Sequence, residues 1–212
     1  MTASPQHPVI MFDYDGVIAD SLEICLAEFN HICTEMGLDQ LNSRDAFLQL
    51  SEGDALRRLF WAGLPLWRLK RMLRRFRPRL EAAARSVKPF DGMPELLGEL
   101  AQRLPVYVVT SNASDTIHWF LETHAVEGVR GVIGADQEVR KAKKIKRVMR
   151  EHPERTPYYV GDTKGDMIAA RRAGAAPVAV TWGWHPRDKI LEGRPEHVVE
   201  SPAELRALFL GE

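Results

Sequence analysis

The sequence predicts an α/β protein with a doubly wound, mostly parallel sheet and an inserted helical domain. Several short apolar runs lack polar alternation, which is typical of strands buried on both faces. Helical segments with short connections separate these runs, and this alternation indicates parallel strands with helices on both sides. One long interval shows only helical patterns. A chain of 212 residues is long enough for one such domain and a smaller insertion.

The strands and helices of the main domain follow from local patterns. The apolar runs that predict strands lie at residues 9–12, 106–109, 132–133, 158–160, 178–180 and 198–199. Periodic segments at 94–101 and 144–149 predict helices between them. The last helix is predicted to begin after Ser201, a preferred N-cap, with Pro202 and Glu204 at the first and third helical positions.

The interval from about Asp20 to Lys88 interrupts this alternation, because it contains no convincing strand. It is too long for a connection and too periodic for a loop. Its apolar residues recur at helical spacing, as in Leu22, Leu26 and Phe29 and again in Leu56, Leu59 and Phe60. We therefore predict two domains, with residues 1–19 and 89–212 forming the core and residues 20–88 forming a helical domain.

Composition and charge indicate which binding partners and which cellular compartment to expect. Lys plus Arg and Asp plus Glu number 29 each, so no overall field favours nucleic acid or membrane binding. Cys25 and Cys33 lie eight residues apart in one predicted helix, too far for a disulfide, and free thiols suit a reducing compartment. The N-terminus resembles no signal peptide, and no apolar run reaches membrane-spanning length. We expect a soluble cytoplasmic protein.

A cluster of basic residues in the helical domain has three possible interpretations. Its members are Arg68, Lys70, Arg71, Arg74, Arg75, Arg77 and Arg79. The favoured interpretation is a solvated helix face, with leucines burying the opposite side. The cluster would otherwise contribute to binding an anionic substrate, or bind nucleic acid with Trp61 and Trp67 as stacking platforms.

Polar residues gather directly after three of the predicted strands. Asp13 and Asp15 follow the first strand, residues 110–112 (Thr-Ser-Asn) follow the second, and residues 161–166 (Gly-Asp-Thr-Lys-Gly-Asp) follow a later one. Ligands of open α/β sheets bind beyond the carboxyl ends of the strands. Two acids at one strand end repel each other unless a cation lies nearby, and Mg²⁺ prefers such oxygen ligands.

These motifs together resemble the haloacid dehalogenase-like (HAD) superfamily, and in particular its phosphoglycolate phosphatase-like group. The resemblance rests on residues 13–21, Ser111 and Asn112, a downstream lysine, residues 161–166 and residues 180–183, so it covers nearly the whole chain. It implies a Rossmann-like core, with residues 20–88 as a helical cap domain. The motifs are specific to the superfamily and do not identify a substrate.

The resemblance also implies a role for each acid. Asp13 would be the nucleophile, attacking phosphorus to form an aspartyl-phosphate. Asp15 would be the general acid for the leaving alkoxide and then the base for the hydrolytic water. Mg²⁺ would be held by Asp13, the main-chain carbonyl of Asp15 and Asp162, with Asp166 assisting directly or through water.

The phosphate-binding residues are less sharply defined. By resemblance, Ser111 and a lysine would bind the phosphoryl oxygens. The family typically has a Lys-Pro pair here, whereas this chain has four lysines within residues 141–146. Spacing to the following apolar helix positions favours Lys141, with Lys144 second and Lys143 not excluded. Asn112 is a candidate contact to substrate or cap.

The predicted function is hydrolysis of a small phosphate ester, with phosphoglycolate as the first substrate to test. Family members that cleave carbon–halogen bonds lack an acid at the position of Asp15, so its presence favours phosphate chemistry. Two alternatives remain open, a phosphosugar mutase and a non-catalytic phosphometabolite-binding protein. We expect a monomer or homodimer and no nucleic-acid or membrane partner. His185 is expected at the surface, with the rim of the site as the alternative position.

Overall fold

The computed structural model describes residues 7–51 and 65–211. The strands are β1 (Pro8–Phe12), β2 (Ala19–Asp20), β3 (Lys88–Pro89), β4 (Val106–Val109), β5 (Gly131–Ile133), β6 (Thr156–Gly161), β7 (Ala176–Val180) and β8 (His197–Val199). The α-helices are α1 (Leu22–Glu35), α2 (Arg44–Ser51), α3 (Leu66–Ala83), α4 (Met93–Arg103), α5 (Ser114–Thr123), α6 (Lys141–Glu151), α7 (Lys164–Ala173), α8 (Arg187–Leu191) and α9 (Pro202–Leu210). As predicted, α9 begins after Ser201, whose side chain accepts a hydrogen bond from Glu204 N.

The main sheet has six strands in the order β5-β4-β1-β6-β7-β8, and all its adjacent pairs are parallel. After β5 the chain crosses to the other side of β1, so β1 is the strand at which the order reverses. Ile10 of β1 lies opposite Val106 of β4 and Tyr158 of β6. This register brings the carboxyl ends of β1, β4 and β6 side by side, and it confirms the predicted fold class.

Helices cover both faces of the sheet, which explains the uninterrupted apolar strands. All five residues of β1 are buried. Successive residues point to opposite faces, and on one face Met11 packs in a cluster with Ile145 of α6 and Ala170 of α7. On the other face, Tyr158 contacts Phe209 of α9 edge to face, with ring centroids 5.4 Å apart.

The chain divides into two compact units, one of residues Met1–Asp20 and Lys88–Glu212 and the other of Ser21–Val87. In the first unit, β2 and β3 form a short antiparallel ribbon of two residues per strand, in which Ala19 pairs with Pro89 and Asp20 with Lys88. Sequence patterns missed β2 and β3, because two residues are too few to show alternation. The predicted helical positions Leu56, Leu59 and Phe60, together with Trp61, lie outside the described residues.

In the second unit, ion pairs join α3 to α1. Arg79 Nε lies 2.7 Å from Glu28 Oε2, and an Arg75 guanidinium nitrogen lies 3.2 Å from Glu35 Oε2. Part of the basic cluster is therefore engaged within this unit, although exposed pairs of this kind add little stability. Other members are exposed, namely Lys70, Arg71 and Arg74. No helix in the described ranges is both long and apolar enough to cross a membrane.

Because β1 is central in the sheet and Ile10 is completely buried, truncating Ile10 is expected to destabilise the fold strongly. Ile10→Ala is expected to lower the free energy of unfolding by about 2–5 kcal/mol, because it removes buried methyl groups and leaves a cavity. Leu191→Ala is the control, since Leu191 is 40% exposed, and its effect should stay below about 0.5 kcal/mol. Urea denaturation measures both, and equal effects would contradict this assignment of the core.

Candidate active site

Three acids from two strand ends meet at the carboxyl edge of the sheet. Asp13 follows β1, Asp162 follows β6, and Asp166 lies in the first turn of α7. All three are buried, and each offers a carboxylate oxygen within 4.8 Å of the others. Parallel strands cause this convergence, because β1 and β6 are neighbours and end at the same edge.

The turn after β1 is tight, and it depends on a glycine. Tyr14 N donates to Asp13 Oδ1 at 2.8 Å, and the Tyr14 carbonyl accepts from the main-chain N–H of Ile18 at 2.9 Å. Gly16 has φ +74°, a conformation that costs other residues energy. A Cβ at Gly16 would lie 1.9 Å from Asp162 Oδ2, so the two segments could not approach this closely with a side chain there.

The two carboxylate oxygens of Asp162 have different surroundings. Its Oδ2 accepts a hydrogen bond from Trp184 N at 2.7 Å. Its Oδ1 is buried and has no hydrogen-bond partner within the described part of the chain. Burial raises the pKa of Asp162 well above its usual value, and the charges of Asp166 and Asp13 raise it further. A buried oxygen without a partner, beside two more acids, is suited to a cation.

Asp166 belongs both to the N-terminal cap of α7 and to the cluster of acids. Thr163 is the N-cap of α7, and its N and Oγ1 donate to Asp166 Oδ2 at 3.1 and 2.7 Å. Asp166 N donates back to Thr163 Oγ1 at 3.1 Å. This capping box fixes the carboxylate orientation and leaves Oδ1 directed at Lys141.

Lys141, at the start of α6, is the lysine that joins the acids. Its Nζ donates to Asp13 Oδ2 at 2.5 Å and also to Asp166 Oδ1. Burial by itself lowers the pKa of Lys141, but the two carboxylates outweigh burial and raise the pKa well above its usual value. Burial raises the pKa of Asp13 to about 7, with Lys141 opposing the shift. Lys143 pairs with Glu138 at 3.7 Å and is mostly exposed.

The other predicted residues have distinct positions. Asn112 Nδ2 donates to Asp15 Oδ2 at 2.7 Å, so Asn112 contacts the second acid of the turn. Ser111 is exposed at the end of β4. Lys144 is buried, and its Nζ donates to the main-chain carbonyl of Thr110. Lys144 therefore holds the chain just before Ser111.

The expectation that His185 lies at the surface is wrong, because it is only 2% exposed. It belongs to the segment of residues 182–185 (Trp-Gly-Trp-His) after β7, which packs against the turn containing Gly16. Trp182 Nε1 donates to the Val17 carbonyl at 3.2 Å, and a Cβ at Gly183 would lie 2.3 Å from Gly16 O. Two tryptophans flanking a glycine at a strand end were the signal that this segment covers the site.

This arrangement can bind a hard cation and an anion together. The donor set consists of carboxylate oxygens, the ligands preferred by divalent cations such as Mg²⁺ and Ca²⁺. Deprotonated Asp13, Asp162 and Asp166 repel one another, and Lys141 offsets only part of that charge. A carboxylate beside a lysine can also attack an electrophile while the ammonium stabilises an anionic group.

Comparison with known proteins gives consistent matches over the length of the chain. A family model described as haloacid dehalogenase-like hydrolase matches residues 10–180. A phosphoglycolate phosphatase from Synechococcus elongatus is 30% identical over 200 residues, covering 92% of this chain and 94% of that protein. A 5'-nucleotidase from Pseudomonas aeruginosa is 25% identical over 217 residues, covering 98% of this chain and 97% of that protein.

Solved structures show the same architecture. A haloacid dehalogenase-like family hydrolase from Streptococcus pneumoniae superposes with a TM-score of 0.79 at 27% identity, covering 99% of this chain and 100% of that one. The likeness extends over both units of the chain.

The close packing at Gly16 leads to a prediction about cation binding. In Gly16→Ala the added Cβ would collide with Asp162 Oδ2, so divalent-cation affinity measured by calorimetry should fall about tenfold or more. The unfavourable φ should also lower the free energy of unfolding by about 1–2 kcal/mol.

Gly98→Ala is the matched control, since Gly98 lies in α4 and, among residues 7–51 and 65–211, its added Cβ would meet no heavy atom within 4 Å outside its helix. This variant should bind the cation normally and gain about 0.5–1 kcal/mol of stability. Unchanged cation affinity in Gly16→Ala would contradict the proposed geometry.

Proposed function

The chain belongs to the haloacid dehalogenase-like hydrolase family, and we propose that it is a Mg²⁺-dependent phosphatase acting on a small phosphorylated metabolite such as phosphoglycolate. The observation that carries this proposal is the buried cluster of Asp13, Asp162 and Asp166. Lys141 forms ion pairs with two of these acids, Asp13 and Asp166. That cluster brings a nucleophile, a cation site and a positive charge for a phosphoryl group together from separate segments of the chain.

In the proposed reaction, Asp13 attacks the phosphorus of the ester. A bond forms between an Asp13 carboxylate oxygen and phosphorus, and the bond from phosphorus to the ester oxygen breaks. Asp15 gives its proton to the departing alkoxide. Asp15 then takes a proton from water, whose oxygen attacks the aspartyl-phosphate, and inorganic phosphate leaves while Asp13 is regenerated.

Mg²⁺ would be held by Asp13, Asp162 and Asp166 together with the main-chain carbonyl of Asp15. The buried Oδ1 of Asp162, for which the described residues offer no hydrogen-bond partner, supports this assignment. When bound, the cation supplies positive charge that offsets the carboxylates and the phosphoryl oxygens. Lys141 and Ser111 would bind the remaining phosphoryl oxygens, and residues 20–88 would act as the cap that determines substrate specificity.

A second substrate class is supported by the relative named 5'-nucleotidase, which matches nearly the whole chain. A panel of phosphoglycolate, nucleoside 5'-monophosphates and sugar phosphates, with phosphate release as readout, separates these candidates. Isomerised sugar phosphate without free phosphate would instead identify a mutase. Binding without hydrolysis across the panel would identify a non-catalytic phosphometabolite-binding protein.

Removing the nucleophile should abolish turnover while the fold persists. Asp13→Asn should lower kcat for p-nitrophenyl phosphate by a factor on the order of 10³ or more. The variant should remain folded by circular dichroism, because the substitution removes one of several repelling charges. Asp91→Asn is the control, since Asp91 is exposed, and it should keep full activity. Turnover like the wild type in Asp13→Asn would refute the mechanism.

Cation binding should depend on pH with a defined sign. Because the pKa of Asp13 is raised to about 7 and that of Asp162 is also raised, protons compete with the cation for these oxygens. The apparent Mg²⁺ affinity should therefore fall about tenfold or more between about pH 8 and about pH 5. Calorimetry in buffers of different ionisation enthalpy should show proton release on binding at about pH 6. Affinity independent of pH would contradict the assignment of these acids as ligands.

A further inference from the structure

Lys144 is a buried lysine to which the proposed mechanism gives no role. Only 1% of the residue is exposed, in the second turn of α6. Burying an ammonium costs free energy, so buried lysines are rare unless they are paired or functional. The Nζ of Lys144 donates to an uncharged group, the main-chain carbonyl of Thr110.

Two consecutive main-chain carbonyls at the end of β4 accept hydrogen bonds from buried side chains, and that of Thr110 is the second of them. The preceding carbonyl, that of Val109, accepts from Tyr159 Oη at 3.1 Å. Tyr159 is completely buried, and Lys141 Nζ lies 5.7 Å from its ring centroid. The strand end is therefore fixed from within the core by a phenol and an ammonium.

The segment fixed in this way carries the predicted phosphate-binding residues. Thr110 N donates to the Ile133 carbonyl at 3.2 Å, and Ala135 N donates to the Asn112 carbonyl at 2.8 Å. Asn112 N donates to Thr110 Oγ1 at 3.1 Å. Ser111 lies between these anchors, exposed at the site edge. Its position thus depends on the contact that Lys144 makes one residue earlier.

We propose that Lys144 is a positioning residue for phosphate binding, whose ammonium holds the Thr110 carbonyl and thereby fixes Ser111 and Asn112. The inference rests on the proposed phosphatase function and deepens it. Lys144 does not contact the reacting atoms. It acts through the main chain of the phosphate-binding segment, and its positive charge adds to that of Lys141.

The surroundings of Lys144 make this contact sensitive to alkaline pH. Burial and then the charge of Lys141 lower the pKa of Lys144 to about 8, against the opposing charges of Asp13, Asp136 and Glu138. The ammonium is therefore present below about pH 8 and is lost above it. A neutral amine is a weaker donor to a carbonyl, so phosphate binding should weaken as the pH rises through this range.

The test compares Lys144→Met and Lys144→Gln with the wild type. Methionine fills similar space without donating, whereas glutamine keeps an N–H donor that does not titrate. Lys146→Met is the matched control, because Lys146 is an exposed lysine of the same helix. For each protein, loaded with Mg²⁺, calorimetry gives the dissociation constant of inorganic phosphate at about pH 7 and about pH 9.5. Steady-state kinetics on the best ester of the panel give kcat and KM over the same range.

The expected results differ between the variants. At about pH 7, Lys144→Met should weaken phosphate binding and raise KM about tenfold, with kcat within about twofold, and Lys144→Gln should recover part of the loss. The wild type and Lys146→Met should lose phosphate affinity as the pH rises above about 8. The phosphate affinity of both Lys144 variants should stay constant over the same pH range. Melting curves show whether each variant is folded, and the glutamine variant keeps the test valid if the methionine variant is not.

Three results would overturn the role of Lys144. The first is phosphate affinity like that of the wild type in folded Lys144→Met or Lys144→Gln at neutral pH. The second is the same alkaline loss in those variants, and the third is a wild type that binds no phosphate. A wild type that binds phosphate in a Lys144-dependent way but hydrolyses no ester would contradict the proposed activity alone.

Discussion

The rest of the site depends on the burial of three carboxylates at one edge of a parallel sheet. Asp13, Asp162 and Asp166 are withdrawn from water and lie close enough to repel one another. For Asp13 and Asp162, burial and the neighbouring negative charges favour the protonated form, and the raised pKa of each reflects that cost. Positive charge favours the ionised form of such a cluster; Lys141 supplies part of it, and the proposed divalent cation would supply the rest.

The loops around the cluster follow from the same constraint. The acids can meet only if the main chain comes very close, and this is why glycine stands at positions 16 and 183, where a Cβ would collide with Asp162 or with the opposing turn. Trp182 and the main-chain N–H of Trp184 then fix the covering segment to Val17 and to Asp162.

The sequence predicts the sheet and the location of the acids, because both depend on local signals. Apolar runs identify buried strands, and polar residues directly after them mark the edge where ligands bind. Other features depend on contacts distant in sequence. The two-residue ribbon of β2 and β3 has no detectable period, and the burial of His185 depends on how its segment packs. Likewise, the contact between Asn112 and Asp15 joins residues 97 positions apart.

Lys141 and Lys144 show why residue type alone could not assign these roles. They lie three residues apart on α6, on neighbouring positions of one helix face; Lys144 is buried, and Lys141 is partly buried. Two carboxylates raise the pKa of Lys141, whereas burial and the nearby Lys141 lower that of Lys144. One lysine is thus a permanent cation among the acids, and the other is a titratable anchor for a main-chain carbonyl. The difference arises from the strand ends that each side chain meets, because acids follow β1 and β6, whereas the group that Lys144 meets after β4 is a main-chain carbonyl.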